Sequence, residues 1–270
     1  DTVRAVGMEI CPALGIAIPV GKDSLSMKTA WREGEQSRKV VAPVSLIVSA
    51  FAPVVDVRRT LTPQLRTDCG DTRLLLVDLG GGRDRIGGSC LAQVYGRVGR
   101  EGPDCEDAVR VRGFFDAIVR LRSEDLLLAY HDRSDGGLFV TLAEMAFAGH
   151  CGLDVELGSA GRAGSVAALF AEELGAVLQV RAADAERVQA VLREAGLGAF
   201  VHAIGRVVPE DRLVIRDAAG EVFAASRTEL RRAWSETSHL MQSLRDNPEC
   251  AREEYDRAID PADPGMFARL

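Results

Sequence analysis

Short apolar runs alternate with amphipathic stretches from about residue 72 to residue 206, and this alternation restricts the fold more than any other feature. Each strand and each helix in such a pattern has an apolar side that must be buried against another element. The pattern therefore predicts an α/β domain in which helices pack on a mixed sheet. The predicted strands are 72–79, 126–130, 153–157, 176–180 and 201–206, and the predicted helices are 86–95, 104–122, 136–148, 166–171 and 184–195.

The segments on either side of this block predict further elements. Ser226 and Glu229 form a capping box that starts a long helix ending near residue 245, after a hairpin at 213–222. Asn247 and Pro248 indicate the end of that helix, so the polar residues 249–270 are expected to be an extended tail or linker. In the first part of the chain we expect an amphipathic helix at 1–14, strands at 16–20 and 44–52, and a polar hairpin connection or mobile loop at 31–39.

The composition limits the possible partners and location. The net charge of -7 disfavours nonspecific binding to a nucleic-acid backbone. No apolar run has the roughly 18–20 residues that a membrane span requires, and none resembles a signal peptide. None of the six cysteines stands in a C-x-x-C pair, so a zinc site is not indicated and reduced cysteines in a cytoplasmic protein are expected.

The strongest local motif is HDRSDGG at 131–137, placed after a predicted strand and before a predicted helix. The two glycines allow close approach to a phosphate, and a helix N-terminus favours negative charge. Asp132 and Asp135 are oxygen ligands of the kind that Mg²⁺ prefers. Alternatively, Ser134 or Asp135 only caps the helix. His131 by itself indicates a hydrogen-bonded structural histidine more than a catalytic base.

Three weaker features accompany it. The segment GKDS at 21–24 suits phosphate or metal binding but lacks P-loop spacing, and a polar turn with a solvated Lys22 is the alternative. The triple glycine at 80–82 indicates a flexible surface turn rather than a dinucleotide site. Glu172 and Glu173 indicate a solvated helix end, although a neighbouring site could use one of them.

Longer strings resemble one enzyme family. VGMEICPALGIAIPVGKDSLSMKTAW at 6–31, LLAYHDRSDGGLFVTLAEMAFAGHCG at 127–152 and LFAEELGAVLQVRAAD at 169–184 are similar to the large, single-chain phosphoribosylformylglycinamidine synthases. So are SAFAPVVDVRRTLTPQL at 49–65 and LRDNPECAREEYDRAIDPADPG at 244–265, which makes the resemblance extend over nearly the whole chain.

The resemblance implies a domain plan. The synthetase region of that family is an internal duplication, and each half resembles aminoimidazole ribonucleotide synthetase. Residues 1–65 would be the end of the second, barrel-forming A lobe, and 66–225 the second α/β B lobe. Residues 226–270 would be a long helix and a linker toward a glutaminase domain. The fold class implied is α/β (α+β), with a remnant of the preceding lobe, and the partners within the same chain would be the glutaminase domain and the first synthetase half.

The resemblance also implies a reaction. It is the ATP- and glutamine-dependent conversion of formylglycinamide ribonucleotide to formylglycinamidine ribonucleotide in purine biosynthesis, a C–N ligase reaction through an iminophosphate. The cofactors implied are Mg²⁺ and ATP. Transferred residue by residue, Asp132 would bind the metal, Ser134 and Gly21 would contact ATP, and Ser24 would contact the substrate. Lys22 replaces an asparagine of the smaller relatives, so direct metal binding there is not implied, and no catalytic residue is assigned.

Two alternatives remain open. This half could be a lobe of the same enzyme that holds nucleotide for structure without turnover. It could also belong to a related enzyme such as aminoimidazole ribonucleotide synthetase or selenophosphate synthetase. On the main interpretation, we expect the chain alone to have no amidotransferase activity, because the ammonia source is missing.

Overall fold

The structure is a computed structural model that describes residues 1–22, 24, 26–162, 164–260 and 262. The chain forms two compact units, Asp1–Arg58 and Arg59–Leu270. Each unit is described here by itself. No described helix is both long enough and apolar enough to cross a membrane.

The first unit opens with a helical segment, which confirms the helix predicted for 1–14. It consists of α1 (Thr2–Arg4), a π-helical stretch (Ala5–Ile10) and α2 (Cys11–Leu14). Gly15 ends the segment in the left-handed conformation with a φ of 74°, a position that glycine adopts without strain. All described residues of this unit are at least partly exposed.

The same unit contains one hairpin, formed by β1 (Lys28–Glu33) and β2 (Gln36–Val41). The strands pair down to Glu33 opposite Gln36, so most of the polar stretch 31–39 lies in the strands and the turn is short. The strands predicted at 16–20 and 44–52 are wrong, because these residues adopt no strand in the structure. Their apolar composition favours a strand, but a ladder also requires a partner, and β1–β2 is the one ladder among this unit's described residues.

The second unit is built on a seven-stranded mixed sheet, as predicted. The strand order is β4-β6-β3-β7-β5-β8-β9, in which β5 and β8 are parallel and the other neighbours are antiparallel. The strands are β3 (Thr72–Asp78), β4 (Ala129–Asp132), β5 (Gly152–Glu156), β6 (Gly175–Arg181), β7 (Val201–Val208), β8 (Leu213–Asp217) and β9 (Gly220–Ala225).

The described residues of this unit form seven α-helices, six of which follow the predicted order. They are α3 (Cys90–Val94), α4 (Ala108–Ser123), α5 (Gly137–Gly149), α6 (Ser165–Phe170), α7 (Ala185–Glu194), α8 (Arg227–Arg245) and α9 (Pro248–Ala258). The helix predicted for 86–95 is shorter, because Ser89 accepts a hydrogen bond from Ala92 N and so caps its start.

The extended tail predicted for 249–270 is also wrong over its first part. The Asn247 side chain accepts hydrogen bonds from the backbone N–H groups of Glu249 and Cys250 and thereby caps α9. Proline at the first helical position has a suitable φ and lacks only an N–H that would be unpaired. Asn247-Pro248 therefore starts a second helix after α8. Residues 261 and 263–270 of the predicted tail lie outside the described residues.

Strand β3, which lies between β6 and β7, is buried on both faces and divides the core in two. Leu74 and Leu76 point into the cluster beneath α5 and α6, while Leu75 and Val77 point into the cluster beneath α4 and α7. Each fully buried leucine or valine of this kind contributes about 1.5–3 kcal/mol of transfer free energy. This double-sided packing holds the ends of β3, β4 and β6 in fixed positions, and the loops described below begin there.

Candidate functional site

The HDRSDGG segment forms the end of β4 and the turn into α5. Arg133 is buried, whereas Asp132, Ser134 and Asp135 are exposed. Gly137 has a φ of +67°, and a Cβ atom there would lie 2.7 Å from the Leu169 carbonyl oxygen. The turn thus requires glycine, and it leaves the oxygen-bearing side chains on the solvent side.

The helix-capping interpretation of Ser134 and Asp135 is wrong. The N-cap residue of α5 is Gly136, and no side chain among the described residues forms the usual N-cap hydrogen bond there. The Gly136 N–H instead donates a hydrogen bond of 2.8 Å to Oε1 of Glu172, a residue that lies 36 positions further along the chain. Because capping does not use them, the Ser134 hydroxyl and the Asp135 carboxylate remain available to a ligand.

Glu172 joins two loops of the site. Its Oε1 atom accepts hydrogen bonds from Gly136 N and from Cys90 N, each at 2.8 Å. Ligand atoms of Cys90, Asp135 and Glu172 lie within 4.8 Å of one another. Burial, followed by the hydrogen bond to Glu172, raises the pKa of the Cys90 thiol. The thiol therefore keeps its proton near neutral pH, so this group offers a cation two carboxylates rather than a thiolate.

Glu173 has a different environment from its neighbour. Its side chain is 0% exposed, and its two carboxylate oxygens each accept a hydrogen bond at 2.7 Å from the guanidinium of Arg85. This hydrogen bonding is the main cause that raises the pKa of Arg85 above its ordinary value. Glu106 also pairs with Arg85. The solvated helix end predicted for Glu172 and Glu173 is therefore wrong for Glu173, which is a structural partner of a buried arginine.

A second buried ion pair anchors the HDRSDGG turn from beneath. Arg133 donates to Asp78 Oδ1 at 2.5 Å and to the carbonyl oxygen of Glu173 at 2.7 Å. Asp78 also accepts hydrogen bonds from the N–H groups of Gly80 and Gly82. The surface turn predicted at 80–82 is confirmed, with Gly81 and Gly82 exposed, and Asp78 holds it through the N–H groups of Gly80 and Gly82.

Asp84 is a carboxylate that sequence reasoning did not single out. It is 7% exposed, has a left-handed φ of 49°, and its Oδ2 atom has no hydrogen-bond partner among the described residues. Burial, followed by repulsion from Asp78, raises its pKa to about 6. A buried carboxylate without a partner is costly when ionised. Asp84 therefore carries a proton more readily than an ordinary aspartate, and no local sequence pattern signals this.

His131 and Asp132 point to different surroundings. His131 Nε2 lies 2.8 Å from Glu144 Oε2, which agrees with a structural histidine, while its buried Nδ1 lacks a hydrogen bond among the described residues. The Asp132 carboxylate is 66% exposed and lies 3.8 Å from that Nδ1 atom. Within the described part of the chain, no lysine or arginine forms an ion pair with Asp132. An exposed carboxylate free of cationic side chains suits a Mg²⁺ ion.

The site residues predicted before residue 58, Gly21 for ATP and Ser24 for the substrate, belong to the first unit. Gly21 and Ser24 are exposed, and Lys22 Nζ donates to Ser24 Oγ at 3.4 Å. Asp23 lies outside the described residues. The roles of Gly21 in ATP binding and of Ser24 in substrate binding stay predictions. In the second unit, the structure brings Asp132, Ser134 and Asp135 together on one turn.

Two family models match the chain in tandem. Residues 73–218 match the C-terminal domain of AIR synthase related proteins, which is more than half of the chain. Residues 1–53 match the FGAR-AT PurM_N-like domain. The chain therefore belongs to the family of AIR synthase related proteins.

Solved structures from Thermotoga maritima share the fold. PurL complexed with ATP has 13% identity and a TM-score of 0.50, and the match covers 64% of this chain and 27% of that one. PurLQS has 16% identity and a TM-score of 0.51, covering 64% and 28%. Phosphoribosylformylglycinamidine synthase II has 14% identity and a TM-score of 0.50, again covering 64% and 28%. The chain thus matches just over a quarter of the length of these relatives, and at such identities the likeness shows the fold.

Proposed function

We propose that this chain is part of an ATP- and glutamine-dependent synthetase that converts formylglycinamide ribonucleotide to formylglycinamidine ribonucleotide in purine biosynthesis. The observation that carries the proposal is the turn at 131–137, which presents two carboxylates and a hydroxyl beside two glycines in a domain of the AIR synthase related family. The preceding FGAR-AT PurM_N-like match and the fold shared with a PurL that binds ATP support it. A cytoplasmic location would follow from such a function.

On this proposal the turn holds a nucleotide. The Ser134 hydroxyl is exposed on this turn and would donate to a phosphate oxygen. Asp132 would hold Mg²⁺, which offsets polyphosphate charge when it is bound. The buried pairs of Arg133 with Asp78 and of Arg85 with Glu173 keep the turn rigid, so the ligand meets groups that are already positioned.

The chemical logic of the reaction explains the requirement for ATP. An amide oxygen is a poor leaving group, and its phosphorylation to an iminophosphate lets ammonia displace phosphate instead. Glutamine would supply the ammonia through a glutaminase domain, with which this chain would be joined. These steps belong to the proposed enzyme as a whole, and the part of them proposed for this chain is nucleotide and metal binding.

A second candidate is a lobe that holds nucleotide without turning it over. The hydrogen bond from Lys22 to Ser24 favours it, because the hydroxyl proposed to meet the substrate already has a cationic neighbour where smaller relatives have asparagine. Both candidates predict that the chain binds ATP. They differ in whether the bound ATP is converted to ADP.

The test is a comparison of Asp132→Asn with Asp116→Asn in the full chain. Asp116 is an exposed aspartate on α4 and serves as the matched control. An amide oxygen is a poorer ligand for a hard cation than a carboxylate. We expect Asp132→Asn to weaken ATP binding at least about tenfold when Mg²⁺ is present, and to have little effect when EDTA removes the metal. Isothermal titration calorimetry measures both affinities.

Three outcomes separate the candidates. If both variants bind ATP with equal affinity when Mg²⁺ is present, Asp132 does not bind the metal. Absence of ATP binding by the parent chain would contradict the proposed function itself. If ATP binds, Asp132→Asn in the complete enzyme separates the two roles: loss of turnover with an unchanged Tm favours the catalytic role, and a lower Tm with turnover retained favours the holding role.

A further inference from the structure

A cavity apart from the nucleotide turn lies on the α5 side of the sheet, between α5 and the helices α8 and α9. Its volume is about 580 Å³, and its walls include Phe147, Arg227, Arg231 and Trp234. Small-molecule sites usually measure about 300–1,000 Å³ and combine apolar walls with a few convergent polar groups. The cavity therefore has the size and the wall chemistry of a ligand site.

Arg231 is the unusual group in this wall. Its guanidinium carbon lies 4.7 Å from the ring centre of Trp234 and 5.4 Å from that of Phe147. Within the described part of the chain, no carboxylate lies within ion-pair distance of it. Burial, followed by repulsion from Arg227, lowers its pKa from the ordinary value. Arginine nevertheless stays protonated in proteins, so Arg231 is a half-buried cation without a bonded anion.

The nearest acids already have partners. Glu144 accepts a hydrogen bond from Trp234 Nε1 at 3.2 Å with one oxygen, and its other oxygen lies 2.8 Å from His131 Nε2. Asp211 accepts from Arg227 Nε at 3.0 Å. Glu254 and Asp260 also line the cavity, and so does Arg257, so the acids and the arginines of the wall are equal in number. Arg231 stands out among them because it lies against the aromatic surface and no carboxylate of the described residues is within ion-pair distance of it.

We propose that this cavity binds a small molecule through an oxyanion, either a carboxylate or a phosphate, which the guanidinium of Arg231 holds as a two-pronged donor. The indole of Trp234 would support the body of the ligand beside it. Stacking on Trp234 and Phe147 fixes the plane of the guanidinium in advance, which lowers the entropy lost on binding. His131 lines this cavity and lies 3.8 Å from Asp132, but Asp132, Ser134 and Asp135 of the nucleotide turn are not part of its wall.

The experiment titrates the full chain with inorganic phosphate and, separately, with succinate at constant ionic strength. The chain contains two tryptophans, Trp31 and Trp234, so a Trp31→Phe background makes Trp234 the only fluorescent indole. We expect a saturable change in Trp234 fluorescence with at least one of the two anions. Saturation by phosphate alone indicates a phosphorylated ligand, and saturation by succinate alone indicates a carboxylate.

Arg231→Gln should then weaken binding of that anion at least about tenfold, which corresponds to about 1.4 kcal/mol. Arg252→Gln, at an exposed arginine on α9 outside the cavity wall, should leave binding unchanged. Should Arg231→Gln unfold the chain, Arg231→Lys decides, because lysine keeps the charge and loses the planar donor pair. Equal affinity in a folded Arg231 variant and in the parent would overturn the proposal, and so would a response of the parent that never saturates.

Discussion

Replacing the buried Glu173 with glutamine should cost the folded chain about 3 kcal/mol. The Glu173 carboxylate accepts two hydrogen bonds at 2.7 Å from the Arg85 side chain and one at 3.0 Å from its backbone N–H. Glutamine turns one acceptor into an N–H₂ donor that faces a guanidinium donor. Removing one partner of a buried ion pair costs about 3–5 kcal/mol, and the remaining pair between Arg85 and Glu106 places this case at the lower end.

Glu172→Gln is the matched control at the next position. The amide oxygen of a glutamine side chain there would still accept from Cys90 N and Gly136 N, so the cost should stay below about 1 kcal/mol. Urea denaturation followed by circular dichroism gives both free energies of unfolding, and a loss of about 3 kcal/mol should lower the Tm by about 6–12 °C in a domain of this length. Two variants that differ by less than about 0.5 kcal/mol would refute the reasoning, since a difference that small is typical of surface substitutions.

Two more predictions concern the loops beneath and beside the turn. The pKa of Asp84 is about 6 in the folded chain against an ordinary 3.8, so the stability it contributes is present below about pH 4 and lost as pH rises through about 6. Asp84→Asn should therefore be about 1–3 kcal/mol more stable than the parent near pH 7 and equal to it near pH 4, and equal urea midpoints at both pH values would contradict this. Gly137→Ala should cost more than about 2 kcal/mol, because its Cβ would lie 2.7 Å from Leu169 O. Gly158→Ala, with a φ of +50° and no atom within 4 Å, is the control and should cost only about 1 kcal/mol in the same titration.

The strands of the second unit were predictable because burial on both faces leaves a continuous apolar run in the sequence. The stretch predicted at 72–79 is found as Thr72–Asp78, and the one at 176–180 as Gly175–Arg181. Composition could not distinguish these from 16–20 and 44–52, which are equally apolar and form no strand. The difference lies in the partner strands, which stand far away in the sequence and leave no local signal.

The candidate site was predictable only where its chemistry is local. The turn at 131–137 can be recognised in the sequence from its glycines and carboxylates. The inner support of that turn does not, because Arg85 and Glu173 are 88 positions apart and Arg133 and Asp78 are 55 apart. Charged residues are usually exposed, so a sequence pattern assigns such side chains to the surface. Only the folded arrangement shows that Arg133, within the motif itself, faces the interior while its neighbours face solvent.

The pairing of β3 with β6 and β7 has a consequence for the order in which the chain acquires its structure. Strand β3, residues Thr72–Asp78, pairs with β6, which ends at Arg181, and with β7, which ends at Val208. Closing such large loops costs entropy before any ladder compensates for it, and chains of this topology fold slowly. Asp78 and Arg133 lie at the ends of β3 and β4, and β6, which lies between these two strands in the sheet, is synthesised after both. The turn that bears Asp132 and Ser134 thus becomes rigid only after synthesis has passed β6, and until then it has no support from beneath.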